Sequence, residues 1–403
     1  MPTCQAIKAH VLLFPSPGAG HLSHLSAGES GQLIQSAMTK KLINIVELPP
    51  VDISGKIEPN AQFFTRQAAI TREIQPTLRS TISTLTLTPT ALIVDHFATP
   101  ALDIANEFHF LKYVFFPSAW PLSLMLYLPI LKKEIQGEYV DQKEPLKIPG
   151  CMPVQPEDSI FPMLDRTKLE YNIFLQRGSE MRMSDGILLN TWKDLDTKTL
   201  KALREDESSG SVPIYAVGPF SVILISFGSA GVLSAQQITE LAFGLELSQQ
   251  KFPFGSNALD YLPNGFLKRT HGFGLVVTQW APLVDILSHP STGRFLSHCG
   301  ILSGMPMITW PLYAEQKMNA TKLAEEVGVA VRPKIAPTKG VVGREDIEMM
   351  VRKVMEDPEG KAMRVRVKEL KISGEKALVE GGSSFNAMSH LAKKCLIVSK
   401  PIE

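Results

Sequence analysis

The chain has 403 residues, 44% hydrophobic and 20% charged, and its 41 Lys and Arg residues almost balance its 40 Asp and Glu residues. At roughly 150 residues per domain, this length predicts two or three domains with cores large enough to fold without staples. A net charge of +1 gives no field that would attract nucleic acid, so we expect no such partner. The four cysteines are far apart and form no Cys-x-x-Cys pair, which argues against zinc and disulfides and predicts a reducing, cytoplasmic setting.

Short apolar runs alternate with longer amphipathic stretches, a pattern typical of parallel sheets covered by helices. We therefore predict an α/β protein. The predicted strands are His10–Phe14, Ala91–Val94, Tyr113–Phe116, Gly186–Leu189, Val222–Ser226, Gly274–Val277, Arg294–Ser297 and Met307–Thr309. The predicted helices are Ala235–Gln249, Ala314–Val327, Arg344–Glu356, Lys361–Val379 and Ser384–Val398.

Two stretches rich in proline affect the domain organisation. The apolar stretch Tyr113–Leu131 is interrupted by Pro117, Pro121 and Pro129, so it predicts a buried strand, a turn and a core helix, without stable insertion into a membrane. Further along, the Pro- and Gly-containing stretch Ser211–Pro219 predicts a linker between two α/β halves.

Polar residues follow the first two predicted strands. The first strand leads into a Pro-Ser-Pro-Gly-Ala-Gly-His run that ends at His21, and the second ends at Asp95. Ligands of open α/β sheets bind beyond the carboxyl ends of the strands, so both residues are active-site candidates. A histidine can remove a proton near neutral pH, and Asp95 either orients that imidazole or caps the following turn. The glycines do not fit G-x-G-x-x-G, because Ser23 takes the third position, so a nicotinamide site is not indicated.

The most specific pattern lies between Trp280 and Gln316. It comprises Trp280-Ala281-Pro282, Ser297-His298-Cys299-Gly300 and Trp310-Pro311-Leu312-Tyr313-Ala314-Glu315-Gln316. This segment resembles the signature box of the plant UDP-dependent glycosyltransferases, and its flanks resemble the branch that glucosylates small phenolics such as hydroquinone and phenylpropanoids. Further matches extend over most of the chain, at Pro15–His21, Leu48–Asp52, Val94–Asp95, Val217–Pro219 and Ser226–Ser229.

The resemblance implies a GT-B fold, in which two Rossmann-like domains face each other across a cleft, here incomplete in places. It implies an acceptor-binding domain at 1–218, a UDP-sugar-binding domain at 219–380, and a C-terminal helix at 381–403 that packs back on the first domain. The implied partners are UDP-glucose, as a co-substrate rather than a cofactor, and a small phenolic or phenylpropanoid acceptor. A monomer is the default expectation.

The resemblance also implies residue roles. His21 would be the general base that deprotonates the acceptor hydroxyl, and Asp95 its partner, in a single inverting displacement that releases UDP and needs no metal. Ser16, Ser118 and Trp120 would contact the acceptor, although packing in a core is the commoner fate of an aromatic residue such as Trp120.

The donor would be bound by residues of the C-terminal half. The matching positions are Ser229, Trp280, Ala281, His298, Gly300, Glu315 and Gln316. In this scheme Trp280 stacks on uracil, His298 approaches the diphosphate, and the Glu315-Gln316 pair hydrogen-bonds sugar hydroxyls.

The sequence is shorter than the family pattern in several places. After Gly300 it lacks the family's Trp-Asn-Ser-x-x-Glu-Ser segment, and shortened segments are also expected after His21, Pro219 and Lys251, where a family strand would be lost. Each lost polar contact to the donor would cost roughly 1–3 kcal/mol. The alternative hypothesis is therefore a non-catalytic or vestigial member that binds small apolar ligands but not UDP-sugar.

Overall fold

The computed structural model describes residues 9–16, 44–205, 212–219, 233–255, 259–277, 295–297 and 305–398. The chain divides into two compact units. The first unit takes its residues from Met1–Pro153, Pro162–Phe220 and Lys376–Glu403, and the second from Val154–Phe161 and Ser221–Glu375. Each unit contains parallel strands and helices, so the predicted α/β class is confirmed.

The helices follow the strands throughout the described residues. They are α1 (Phe63–Glu73), α2 (Gln75–Ser83), α3 (Leu102–Glu107), α4 (Ala119–Glu134), α5 (Leu169–Met181), α6 (Thr197–Glu205), α7 (Ala235–Ser248), α8 (Phe266–Arg269), α9 (Gln316–Thr321), α10 (Arg344–Met355), α11 (Pro358–Leu378) and α12 (Ser383–Val398). Short 3-10 helices occur at Thr99–Ala101, Tyr139–Asp141, Pro156–Asp158, Phe161–Leu164 and Leu259–Tyr261, and one π-helical turn at Lys322–Glu326.

The first unit is built on a five-stranded parallel sheet whose strands lie side by side in chain order. They are β1 (Val11–Phe14), β2 (Ala91–Asp95), β3 (Leu111–Phe116), β4 (Gly186–Leu189) and β5 (Ile214–Ala216). The register places Phe14 beside Val94, and Val94 beside Val114. Strand β4 is buried along its whole length, as expected for a sheet with both faces covered.

Helix α4 follows β3 through a short turn, so Tyr113–Leu131 is the strand, turn and core helix that the sequence predicts. No helix among the described residues is long and apolar enough to cross a membrane. Pro129 lies inside α4, where it cannot donate to the carbonyl of Met125. Helix α5 comes close at this point: a Cβ on Gly178 would lie 2.6 Å from the Met125 oxygen, so only glycine fits.

The second unit contains two separate groups of parallel strands among its described residues. Strands β6 (Phe252–Gly255) and β7 (Gly274–Val277) form a pair, and β8 (Phe295–Ser297), β9 (Met307–Thr309) and β10 (Ala330–Val331) form a sheet in the order β10-β9-β8. Helices α7 and α10 pack closely, because a Cβ on Gly244 would lie 2.5 Å from the Cβ of Ile347.

The structure contains two strands that the sequence analysis did not predict. The stretch Ser211–Pro219 is not simply a linker, because its Ile214–Ala216 run forms β5 and is covered by α12, whose Cys395 joins the core. The strand expected to be lost after Lys251 is present as β6. In both cases proline and glycine lie beside or within a short apolar run, and they obscure the sequence pattern of a strand. The predicted strand Val222–Ser226 lies outside the described residues.

One predicted helix begins later than expected. The pattern predicted Ala314–Val327, but α9 begins at Gln316 and passes into the π-helical turn at Lys322. Ala314 itself has φ 53°, in the left-handed region, which a residue with a Cβ adopts at a cost. The strand β9 and the helix α9 are therefore joined by a specific turn rather than by continuous helix.

Candidate active site

Three of the expected site residues lie at the carboxyl edge of the first sheet. Ser16 follows the end of β1 by two residues, Asp95 ends β2, and Ser118 follows the end of β3 by two residues. Because these strands are parallel and adjacent, their carboxyl ends meet at one edge. The site predicted from the first half of the sequence thus begins at neighbouring strands.

Asp95 is buried and accepts four hydrogen bonds from described residues at this edge. Its Oδ2 accepts from the backbone N–H of Ser16 at 2.7 Å and from the Ser16 hydroxyl at 2.6 Å. Its Oδ1 accepts from the backbone N–H groups of Phe97 at 2.9 Å and Ala98 at 3.1 Å. Only donors make these four contacts, as an ionised carboxylate requires. Capping of the following turn, one of the two roles the sequence left open, is therefore present, and orientation of His21 stays a prediction.

Ser16 is fully buried, and both of its donors point at Asp95. Its predicted role was contact with the acceptor. The structure instead shows it joining the ends of β1 and β2 through the Asp95 carboxylate. Acceptor contact by Ser16 stays a prediction, and the structure assigns its hydroxyl to Asp95.

Ser118 and Trp120 lie at the start of α4. Ser118 is the N-cap residue, but its side chain makes no capping bond, and its buried Oγ has no hydrogen-bond partner among the described residues. Trp120 is fully buried, and its indole Nε1 likewise lacks a partner there. Trp120 thus packs in the core of the first unit, and contact of either residue with an acceptor stays a prediction.

An aromatic cluster beside Asp95 was not identified from the sequence. The ring of Phe97 lies 5.7 Å from that of Phe63 and 5.4 Å from that of Phe64, with edge-to-face geometry. The His96 ring lies 4.0 Å from Phe97 and 4.8 Å from Phe116. The signal in the sequence was the Phe63-Phe64 pair at the start of α1, which is distant in the chain and carries no motif.

In the second unit, Glu315 and Gln316 follow β9 at the start of α9. Gln316 is buried, and its Oε1 accepts from the backbone N–H of Leu312 at 2.7 Å and of Tyr313 at 3.3 Å. Its amide nitrogen has no partner among the described residues. Glu315 is half-buried and directly follows the left-handed Ala314. We call Tyr313–Gln316 the β9–α9 turn.

The β9–α9 turn begins at the same sheet edge as another expected site segment. Ser297, the last residue of β8, pairs with Thr309, the last residue of β9. His298 directly follows Ser297 in the sequence, although it and the expected site residues His21, Ser229, Trp280, Ala281 and Gly300 lie outside the described residues. Where the structure describes the chain, no group of His, Cys, Asp and Glu residues could hold a metal ion.

Comparison with known proteins identifies the family. Residues 189–371 match the family described as UDP-glucoronosyl and UDP-glucosyl transferase. Anthocyanidin 3-O-glucosyltransferase 5 of Manihot esculenta is 45% identical over 96% of this chain and 95% of its own length. The chain belongs to the UDP-glycosyltransferase family. The alignment with the Manihot relative spans 465 positions, which is more than the 403 residues of this glycosyltransferase. The alignment therefore contains gaps in the sequence of this chain.

Other relatives of this UDP-glycosyltransferase agree with that assignment. Hydroquinone glucosyltransferase of Rauvolfia serpentina is 38% identical over 96% of this chain and 97% of its own length. The structure of Phytolacca americana UGT2 with UDP-2-fluoro-glucose and pterostilbene superposes with a TM-score of 0.86 at 31% identity, covering 97% of this chain and all of that one. The predicted GT-B fold class and the predicted branch of the family are therefore confirmed, and the protein is a transferase of the UDP-sugar-dependent class.

Proposed function

We propose that this UDP-glycosyltransferase transfers glucose from UDP-glucose to the hydroxyl of a small phenolic acceptor. The proposal is supported by the hydroquinone glucosyltransferase relative and by the pterostilbene bound to the Phytolacca protein, since both compounds are phenols. The UDP-2-fluoro-glucose in the same complex supports the donor. We assign the acceptor to the first unit and the donor to the second.

The proposed reaction is a single displacement with inversion. The acceptor oxygen forms a bond to the anomeric carbon of glucose while the bond from that carbon to the UDP oxygen breaks, and UDP leaves with the electron pair. His21 takes the proton of the acceptor hydroxyl, and Asp95 orients its imidazole and stabilises the charge that the proton brings. No metal is required in this scheme, because removal of the proton and positioning of the acceptor carry the reaction.

The observation that carries this proposal is the environment of Asp95. A buried carboxylate is costly unless donors satisfy it, and here four donors from Ser16, just after β1, and from the turn after β2 do so at the edge of the sheet. An orienting carboxylate needs this fixed position, because the imidazole that it holds must meet the acceptor hydroxyl within hydrogen-bond distance. His21 follows Ser16 by five residues, which is short enough for the chain to return to this edge.

On the donor side, we assign contacts with the sugar hydroxyls to Glu315 and Gln316. The amide nitrogen of Gln316, which has no partner among the described residues, can donate, while its oxygen is already used by the β9–α9 turn. We assign stacking on uracil to Trp280, backbone contacts with the base to Ala281, and contacts with the diphosphate to Ser229, His298 and Gly300. The protein acts as a monomer in the cytoplasm under this proposal.

The decisive experiment is a titration with UDP-glucose combined with a glucosylation assay on hydroquinone. We expect saturable binding of UDP-glucose, formation of hydroquinone glucoside, and a loss of kcat of about 100-fold or more in His21→Ala with donor binding retained. His109→Ala is the matched control, because His109 lies between α3 and β3, away from the carboxyl edge, and should act as the wild type. Absence of UDP-glucose binding at millimolar concentration would contradict the proposal and favour the vestigial family member.

A further inference from the structure

An eight-residue segment of the chain, Val154–Phe161, leaves the first unit and packs with the second. It is preceded by Pro153 and followed by Pro162, both of which belong to the first unit. Val154, Ser159 and Ile160 are almost completely buried. We call Val154–Phe161 the inserted segment. A segment this short buries three residues only when it packs in a fixed position. Its contacts therefore show which part of the second unit it stabilises.

The first contact of the inserted segment is a partly buried ion pair. The Asp158 carboxylate accepts from the Arg332 guanidinium and, at 3.2 Å, from the hydroxyl of Thr321 in α9. Arg332 also donates to the Thr321 hydroxyl at 2.7 Å and pairs with Glu325 at 2.7 Å. Charge-assisted bonds of this kind are stronger than neutral ones, and the shared partners fix the segment to the end of α9.

The second group of contacts lies at the start of α9. The Lys317 ammonium donates to the backbone carbonyl of Glu157 at 3.3 Å. The backbone N–H of Phe161, the last residue of the segment, donates to the carbonyl of Ala314 at 3.2 Å. The inserted segment therefore reaches the β9–α9 turn itself.

The bond to Ala314 matters because of the conformation of that residue. Ala314 has φ 53°, which is unfavourable for a residue with a Cβ and persists only where the surroundings hold it. Two sets of hydrogen bonds hold the turn around it: the Gln316 side chain accepts from Leu312 and Tyr313, and Phe161 donates to Ala314. Glu315 directly follows the held residue, so its position depends on both.

We propose that the inserted segment positions Glu315 and Gln316 for the sugar of the donor, with Asp158 and Arg332 as its positioning residues. This inference rests on the proposed function, which assigns the sugar contacts to the β9–α9 turn. Asp158 and Arg332 act through the turn and do not touch the substrate. Their loss should therefore weaken recognition of the glucosyl group and leave recognition of the UDP portion unchanged.

The test compares two ligands that differ only in the sugar. In Asp158→Asn and Arg332→Ala we expect KM for UDP-glucose to rise about tenfold, while the inhibition constant of UDP changes by less than about twofold. KM for hydroquinone should stay at the wild-type value. Arg269→Ala is the matched control, because it removes the Arg269–Glu246 ion pair of the same unit without touching the turn.

A double-mutant cycle separates positioning from general stability. Glu315→Ala should raise KM for UDP-glucose. In a variant that already carries Glu315→Ala and Gln316→Ala, the addition of Arg332→Ala should raise this KM little further, because the residues that Arg332 positions are gone. Multiplicative losses, or equal weakening of UDP and UDP-glucose, would overturn the inference. If Asp158→Asn keeps the wild-type KM while the wild type turns over normally, only the inference fails; without turnover by the wild type, the proposed function fails as well.

Discussion

In the first unit, Asp95 and its donors Ser16, Phe97 and Ala98 form what we call the Asp95 junction. The Asp95 junction and the β9–α9 turn of the second unit are both held by a side chain that accepts backbone hydrogen bonds, but the accepting groups differ in charge. Each lies at or shortly after the carboxyl end of a parallel strand and carries residues predicted to meet substrate. At the junction, a buried carboxylate accepts four donors. In the turn, a neutral amide oxygen accepts two backbone N–H groups, and Tyr313 remains exposed.

The difference indicates how each site is held before substrate arrives. Bonds to an ionised group are roughly twice as strong as neutral ones, so the Asp95 junction is fixed by its own strands. The β9–α9 turn is held more weakly and relies on a backbone bond from the inserted segment. The proposed role of Asp95 in proton removal needs a carboxylate that is already fixed in place. The proposed role of the β9–α9 turn is less demanding, because a bound sugar adds hydrogen bonds of its own to a turn that is already close to the bound conformation.

Replacement of Asp95 should give the largest effect, because it removes the acceptor of four described donors, three of which are buried. In Asp95→Ala, we expect the free energy of unfolding to fall by about 2–4 kcal/mol and kcat/KM to fall about 1000-fold. Asp95→Asn should also lose stability, because its NH2 group would face two of these donors, and it should lose activity, since its amide cannot stabilise a protonated imidazole. Thermal unfolding and the hydroquinone assay provide the two readouts.

Asp165→Asn is the matched control for this prediction. Asp165 also accepts from a backbone N–H and a hydroxyl, both of Thr167, but it is exposed. Its replacement should leave kcat unchanged and shift stability by less than about 0.5 kcal/mol. If both aspartates gave the same small effect, the contrast between a charged junction and a neutral turn would be lost.

Substitution of Gln316 tests the β9–α9 turn, the second member of the comparison. Gln316→Ala removes the oxygen that holds the β9–α9 turn, so we expect a loss of about 1 kcal/mol in stability and a rise of about tenfold in KM for UDP-glucose. Gln316→Glu keeps an acceptor oxygen for the turn, but it loses the amide N–H donors and places a carboxyl group at a buried position. It should be less stable than the wild type and should bind UDP-glucose more weakly, as thermal unfolding and calorimetry with UDP and UDP-glucose would show. Wild-type affinity in Gln316→Glu would mean that Gln316 only holds the turn.

Ser16→Ala should give the smallest of these effects. It removes one of the four donors to Asp95 and leaves the backbone N–H of residue 16 in place. We expect a loss of about 1–2 kcal/mol in stability and a drop of about fivefold in kcat, with KM for hydroquinone unchanged. A raised KM for hydroquinone with an unchanged kcat would show instead that Ser16 contacts the acceptor, as the sequence predicted.

The sequence predicted those parts of the fold where the local pattern and the packing agree. Strands β4, β7 and β9 have the predicted bounds, because each is a short apolar run between polar or turn-forming residues. Strand β5 was missed because its buried residues acquire their role only through α12, which is distant in the chain. The start of α9 was placed too early because the helical period cannot reveal that Ala314 is left-handed.

For the candidate site, the sequence predicted the place of Asp95 at the end of a strand but not its contacts. A motif predicted Asp95, and the sequence even left open that it caps a turn, which the structure shows. The partnership of Ser16 with Asp95 was not predictable, since 79 residues separate them and only the pairing of β1 with β2 brings them together. The inserted segment carried no signal either, because its bonds to the β9–α9 turn involve backbone groups and an ion pair distant in sequence.

The helix α12 has a consequence for the order in which the protein can be completed during translation. Its residues Ala387, Leu391 and Cys395 close the core over β5, yet the ribosome makes them only after the whole second unit. Until then the nascent first unit exposes the apolar face around Leu188 and Val217, a surface suited to chaperone binding. A fragment that ends near Phe220 would keep that face uncovered, and a peptide of the α12 sequence added in trans should restore its solubility.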